Sequence, residues 1–390
     1  MPTFETVRNP DLDVLNGLTS EWNNSDRRRW GFHNVAKMSR FGLSIRSPQV
    51  LTLNKAVDRR IGDLASVRRM TGYLHFSGLC VLQGQKVLYE DYAPDFGPEQ
   101  PHSMQSITKT CMHFVIGRLW EEGRIDLSRP VSHYIPEIGT GYAEATIQQV
   151  LDMDVINNFA EDYSTSYLYD PIPGAPTSYQ RQEIAMGWRL PPSGEEQFSM
   201  RSFTASLVSD DITNPSGSCE YRSPNTDLLA WIAERITGRA VRDMLIEIVE
   251  AAGLEGVYFI GLDCDGVPVV SGAGAMTARD LARYGQLFVR RGEGVNGKTV
   301  GSAAFMEETR NGRGTLVDDC PYGVRYSNMT YTNGDWFGHP GFAGQFLTAH
   351  PETGISIAYF SVLETEDAHD DHIFNDIMEM SHDIIAIFGE

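Results

Sequence analysis

The sequence predicts an α+β fold: one antiparallel sheet is assembled from both ends of the chain, and a mainly helical segment lies between them. Three observations carry this. Runs rich in β-formers occur at residues 78–92 and again at 344–362, close to opposite ends of the 390 residues. Each is two short runs joined by turn residues, the pattern of an antiparallel hairpin. Between them, apolar residues recur at helical spacing in one segment after another. The division that follows puts 1–105 and 256–390 in a sheet domain and 106–255 in a mainly helical one, with a cleft between them as the natural place for a ligand.

Taken in order, residues 1–48 read as an irregular arm that Trp22, Trp30 and Phe32 pin onto the body. Leu51, Leu53, Val57, Ile61, Leu64 and Val67 are spaced as on an amphipathic helix over 50–70. GLCVLQGQKVLYEDY (78–92) predicts two strands turning at Gly84-Gln85. ITKTCMHFVIGRLWEEG, which follows Ser106, is apolar on nearly every side, so it predicts a buried helix. Further helices are expected at 144–153, 199–209, 224–237, 239–252 and 277–291. GQFLTAHPETGISIAYFSV (344–362) predicts a second hairpin around Pro351-Glu-Thr-Gly354. The tail from 367 to 388 predicts a helix with Ile373, Ile377, Met380, Ile384 and Phe388 on one stripe.

Composition narrows the function classes. With 41% apolar and 22% charged residues the chain is that of a folded protein. A net charge of −20 argues against nucleic acid and anionic membrane surfaces as partners. No apolar run is long enough to span a bilayer, and MPTFETVRNPDLD lacks the basic and apolar regions of a secretory signal. Cys80, Cys111, Cys219, Cys264 and Cys320 are scattered and contain no CxxC pair. They read as free thiols in a reducing compartment, so a cytoplasmic location is expected. His369-Asp-Asp-His372 has too few ligands to argue for a metal, and neither metal nor cofactor is expected.

Ser106-Ile-Thr-Lys109 carries the chemistry. Residues three apart on a helix share a face, so an ammonium can approach the serine oxygen. A lysine whose pKa is lowered by burial can take the serine proton. A bare Ser-x-x-Lys occurs by chance about once in a chain of this size. Here, however, lysine is scarce, with only Lys37, Lys55, Lys86, Lys109 and Lys298 in the chain. Lys109 also stands where an apolar helix begins, a poor place for a spare cation. Tyr221, in CEYRSPNTDLLAW, adds a phenol that could relay a proton if its pKa is lowered; a tyrosine at a loop–helix junction is the plainer alternative. In WFGHPGFAGQF (336–346) the glycines Gly338, Gly341 and Gly344 permit close approach by a ligand, or mark a bulge. No nucleophile elbow of the Gly-x-Ser-x-Gly kind is present.

SITK at 106–109, Tyr221 with Ser223, and His339-Pro-Gly341 stand in the order of the three motifs of serine β-lactamases, penicillin-binding proteins and related esterases. The connecting segments EEGRIDLSRPVSHYIPE, TIQQVLDM and GFAGQFLTAHPETG are similar too. The third motif departs from the Lys-Thr-Gly of β-lactamases. VLDMDVINNFAEDY (150–163) and YRSPNTDLLAWIAERITG (221–238) most resemble the 6-aminohexanoate-dimer hydrolases. The resemblance implies a β-lactamase/DD-peptidase-like fold and a serine hydrolase that cleaves an amide or ester of a small molecule through an acyl-enzyme. An acyltransferase, carboxylesterase or D-aminopeptidase would use the same intermediate. By resemblance, Ser106, Lys109 and Tyr221 are catalytic, and the backbone amides of Ser106 and Phe342 form the oxyanion hole. Tyr163, Glu183, Ser223, His339 and Gly341 meet the substrate, with Glu183 taking its amino group. An apparent insertion, LYDPIPGAPTSYQ, falls beside Glu183. A homodimer is compatible with this reading.

Overall fold

The computed structural model describes residues 22–163, 174–209, 217–317, 320, 322–370 and 372–389. Residues 1–21 of the arm and 164–173, which include the start of the apparent insertion, lie outside the described residues.

A nine-stranded sheet forms the body. From one edge it runs Asn54–Lys55, Lys86–Tyr92, Phe76–Gln83, Ile355–Ser361, Gln345–His350, Phe337–Gly341, Thr330–Thr332, Arg325–Ser327 and Thr315–Leu316. The two predicted hairpins are both present. The first turns at Gly84, whose φ of +57° suits glycine. The hairpins join at the centre of the sheet, where Leu79 faces Tyr359 and Gln83 faces Ile355. The early and late ends of the sequence are thus hydrogen-bonded neighbours. All of Phe76–Leu82 is buried, as expected of a strand covered on both faces. The helix Ala278–Val289 packs across Phe76–Gln83, Gln345–His350 and Ile355–Ser361. The helix Ile373–Ala386 packs on Ala65–Thr71 and Gln345–His350.

A smaller sheet orders the strands Gly42–Ile45, Tyr258–Gly261, Gly274–Met276 and His102–Ser103. Between Gln105 and Ala252 the named elements among the described residues are helical. The predicted helices appear there and beyond as Ile147–Leu151, Met200–Ala205, Pro224–Thr237, Val241–Ala252 and Ala278–Val289. No helix among the described residues is long and apolar enough to cross a membrane.

The helix Cys111–Glu121 buries almost its whole length. His113 and Phe114 pack among Phe288, Phe305 and Phe337. Burying each such ring stabilises the fold by roughly 2–3 kcal/mol. This cluster ties the start of the helix to the strand Phe337–Gly341.

Two expectations change. The helix over 50–70 is instead two short helices, Arg59–Asp63 and Ala65–Thr71, after an extended edge. The amides of Asn54, Ala56 and Asp58 donate to the carbonyls of Gln85, Val87 and Leu88. Sheet pairing therefore takes the backbone that a helix would have used. In the arm, Trp22 and Phe32 are buried, but Trp30 is 54% exposed and pins nothing. The stronger tie is Arg28. Its buried guanidinium donates to the carbonyls of Leu363 (2.7 Å), Thr365 (2.6 Å) and Asn23 (3.1 Å). Replacing Arg28 with Ala strands these acceptors, and the unfolding free energy should fall by on the order of 3 kcal/mol. Urea denaturation reads this as a lower midpoint at unchanged slope; an unmoved midpoint would show that the arm contributes nothing to stability.

Candidate active site

Ser106 lies in a 3₁₀ turn, Gln105–Thr110, rather than in the α-helix that follows it. Side chains three apart eclipse one another in such a turn, so Ser106 and Lys109 are stacked by the backbone itself. Gln105 holds a φ of +48°, an uncommon conformation for a residue with a side chain. The turn is moored to the small sheet. The Met104 amide donates to the Gly274 carbonyl (2.8 Å), and the Gly274 amide donates to the Thr108 hydroxyl (3.2 Å). The Gln105 side chain donates to the Ser103 hydroxyl at 2.8 Å.

Lys109 Nζ donates to Ser106 Oγ at 2.8 Å and also to the carbonyl of Ser271. The lysine is fully buried. Burial lowers its pKa from the usual 10.5 to about 8, against the opposing pull of the Glu161 and Asp227 carboxylates. A useful fraction is therefore neutral at mildly alkaline pH, able to accept a proton. The Nζ also lies 5.1 Å from the centre of the Tyr221 ring.

Tyr221 is placed by the loop before the helix Pro224–Thr237. The Glu220 amide donates to the Met153 carbonyl at 2.8 Å, and the Arg222 amide approaches Met153 Sδ at 3.3 Å. The phenol oxygen is buried and completes no hydrogen bond among the described residues; burial and the neighbouring Tyr326, Tyr331 and Glu161 push its pKa well above the usual value, against a smaller opposing influence of Ser106. The lowered phenol pKa expected from sequence is thereby corrected. The group stays protonated and is suited to giving a proton and taking one back.

The strand Phe337–Gly341 packs against the Ser106 turn. A Cβ on Gly341 would lie 2.5 Å from the Met104 carbonyl oxygen, so only glycine permits this approach. The following turn is fixed by three bonds. Gly344 N donates to the Gly341 carbonyl (3.1 Å), the Gln345 side chain to the Phe342 carbonyl (2.7 Å), and the Ser361 hydroxyl to the Gly344 carbonyl (2.8 Å). The Phe342 ring lies 5.1 Å from Tyr163 and 5.7 Å from the Arg28 guanidinium carbon. Tyr163, Gly341 and Phe342 line a cavity of about 350 Å³ whose far wall includes Leu363, Ile373 and Phe374.

Ser223 and Tyr163 are joined by a residue the sequence reading missed. Glu161 accepts from the Ser223 hydroxyl (2.7 Å), the Ser223 amide (2.8 Å) and the Tyr163 hydroxyl (2.9 Å). In an extended segment, residues two apart share a face, and that spacing from Tyr163 was the one available signal. Two other expectations are corrected. Glu183 does not face the cleft: it is 1% exposed and bound to the equally buried Arg189 at 2.9 Å, and a carboxylate so paired is not offered to an incoming amine. His339 is fully buried behind Tyr221, with its ring nitrogens on the Pro340 carbonyl (2.6 Å) and the Tyr326 hydroxyl (3.3 Å). Burial, helped by the charge of Lys109, drops its pKa to about 3. It is a neutral support for the tyrosine, not part of the cleft surface.

A family model described as Beta-lactamase matches residues 67–376. The chain is 29% identical over 338 residues to the 6-aminohexanoate-dimer hydrolase of Paenarthrobacter ureafaciens, covering 85% of this chain and 82% of that protein. Among solved structures, a Bacillus anthracis protein assigned as a 6-aminohexanoate-dimer hydrolase superposes with a TM-score of 0.78 at 22% identity, over 99% of this chain and 100% of that one. A D-stereospecific amidohydrolase from Streptomyces gives 0.55 at 18% identity, over 83% and 98%. The two structural likenesses establish a shared fold.

The close approach at Gly341 yields a test. Gly341→Ala should leave the protein folded by circular dichroism but slow fluorophosphonate labelling of Ser106 about 100-fold, because a sub-ångström displacement of the strand misplaces the groups around the serine. Labelling at the parental rate would show that the contact with Met104 has no bearing on reactivity.

Proposed function

The chain belongs to the beta-lactamase family, and on that premise we propose that it is a serine hydrolase that opens an amide or ester of a small molecule, with Ser106 as nucleophile, Lys109 as base and Tyr221 as proton relay. The observation that carries the reading is the 2.8 Å contact between Ser106 Oγ and a desolvated Lys109.

Neutral Lys109 takes the Ser106 proton as Oγ attacks the carbonyl carbon. The oxyanion is held by the backbone amides of Ser106 and Phe342, each such donor being worth ~3 kcal/mol in the transition state. As the tetrahedral adduct collapses, the C–N or C–O bond breaks. Tyr221 gives its proton to the departing amine or alcohol and recovers one from the Lys109 ammonium. Water then attacks the acyl-enzyme, its proton passes to Lys109, and Ser106 leaves as the alkoxide that the ammonium reprotonates.

The similarity to 6-aminohexanoate-dimer hydrolases supports an amide or ester of a small molecule as substrate. Tyr163, Ser223 and Gly341 would meet it beside the scissile bond. With Glu183 paired internally, Glu161, which bonds Ser223 and Tyr163, is the group we assign to a cationic end of the substrate. The reading also places the protein in the cytoplasm, where the free thiols Cys80, Cys111, Cys219, Cys264 and Cys320 are stable. It is compatible with a homodimer, which light scattering tests. The cleft is assigned to the junction of 106–255 with 1–105 and 256–390.

On p-nitrophenyl butyrate, Ser106→Ala should lose turnover by about 10³-fold or more; turnover at the parental level would overturn the assignment. The neutral lysine is the active form and its pKa is lowered to about 8. The rate should therefore rise with pH through a limb near 8, and a flat profile from pH 6 to 9 would remove Lys109 from the role of base.

A further inference from the structure

Asp227 stands in the first turn of the helix Pro224–Thr237. It is 8% exposed, and neither carboxylate oxygen contacts solvent or has a hydrogen-bond partner among the described residues. An acidic residue in a first turn is ordinarily explained by the helix dipole. That explanation asks for no burial, and burying an unpaired carboxylate costs several kcal/mol. Either a group on its buried side offsets the cost or the carboxyl takes up a proton. The carboxylate faces the amide and hydroxyl of Ser271, and the Ser271 hydroxyl is also buried without a completed bond among the described residues. The carbonyl of the same residue receives the Lys109 ammonium. The helix carrying Asp227 also packs against Cys111–Glu121, which continues directly from Lys109.

We propose that Asp227 is a positioning residue for the base: across Ser271, it is the buried counter-charge that holds the proton on Lys109 between its removal from Ser106 and its transfer to Tyr221. The inference rests on the assignment of Lys109 as base.

The charges around the pair are few. Lys109 feels Glu161 from the extended segment before Tyr163 and Asp227 from the helix. His339 on the neighbouring strand is neutral, and Tyr221 stays protonated. Asp227 is drawn toward ionisation by Lys109 and by Ser271 and away from it by Asp263; it also acts on Cys111, whose thiol burial holds protonated. Burial lifts Asp227 to about 7 and lowers Lys109 to about 8. Glu161, by contrast, is anchored by Ser223 and Tyr163 and on the present reading meets the substrate.

Asp227→Asn preserves shape and removes the charge. Without its counter-charge the Lys109 ammonium is less stable, so its pKa falls. The alkaline-rising limb of the rate profile on p-nitrophenyl butyrate should then move to lower pH by about one unit. The same shift should appear directly in the Lys109 signal of ¹³Cε-lysine-labelled protein, where five lysines give five resolvable resonances. That titration is run in a Ser106→Ala background, alone and combined with Asp227→Asn. It decides the inference even if the ester proves not to be a substrate. Ser271→Ala, which keeps the carbonyl on Lys109 and removes the hydroxyl facing the carboxylate, should move limb and resonance the same way by a smaller amount, and it serves if Asp227→Asn does not fold. A Lys109 titration unmoved in both variants would overturn the inference, whatever happened to stability or to the amount of active protein.

Discussion

A buried lysine beside a serine is the constraint around which the site is arranged. Water would hold an ammonium far better than the interior does, so each neighbour of Lys109 either compensates for desolvation or exploits it. The Ser271 carbonyl and the Ser106 hydroxyl accept its protons. Two carboxylates lie within electrostatic reach without contacting it fully. Tyr221 offers the face of a ring in place of an acceptor. The lysine is left between charge states, which a proton carrier requires. A tighter ion pair would have fixed the charge, and a purely apolar pocket would have abolished it.

The fold serves this by bringing three distant parts of the sequence to one point. The 3₁₀ turn presents Ser106 and Lys109 in eclipse, the loop before Pro224–Thr237 delivers Tyr221, and the strand ending at Gly341 closes the third side. The aromatic cluster of His113, Phe114, Phe288, Phe305 and Phe337 fixes the distance between the first and third. Gly341 sets how near they come, since its missing side chain is the space the Met104 carbonyl occupies. Placement is rigid where chemistry is to occur. Beyond Phe342, Leu363, Ile373 and Phe374 wall a cavity of about 350 Å³.

Much of this was legible in the sequence because it is periodic or local. The hairpins at 76–92 and 345–361, the buried helix after Ser106 and the Ser-x-x-Lys pair all depend on residues close together in the chain. What escaped was decided by partners far away. The apolar residues of 50–70 suggest one helix, but the backbone from Asn54 to Asp58 is taken up by an edge of the sheet. Trp30 looked like an anchor, whereas the anchor is Arg28, whose acceptors are more than 330 positions later. Glu183 was a reasonable acid for the cleft until Arg189, six residues on, claimed it. Glu161 and Asp227 carry no motif. Their standing comes from which buried side they face.

The Arg28 contact also bears on how the protein is made. Its guanidinium closes on carbonyls at 363 and 365 and lies against the ring of Phe342, while the central strand Phe76–Gln83 finds its second neighbour in Ile355–Ser361. The parts synthesised first therefore cannot complete their hydrogen bonding until nearly the whole chain has left the ribosome. The residues we assign as nucleophile, base and relay all precede residue 222, and Phe342, which we assign to the oxyanion hole, follows more than a hundred residues later. On the proposed assignments, the site is complete only once Ile355–Ser361 has paired with Phe76–Gln83.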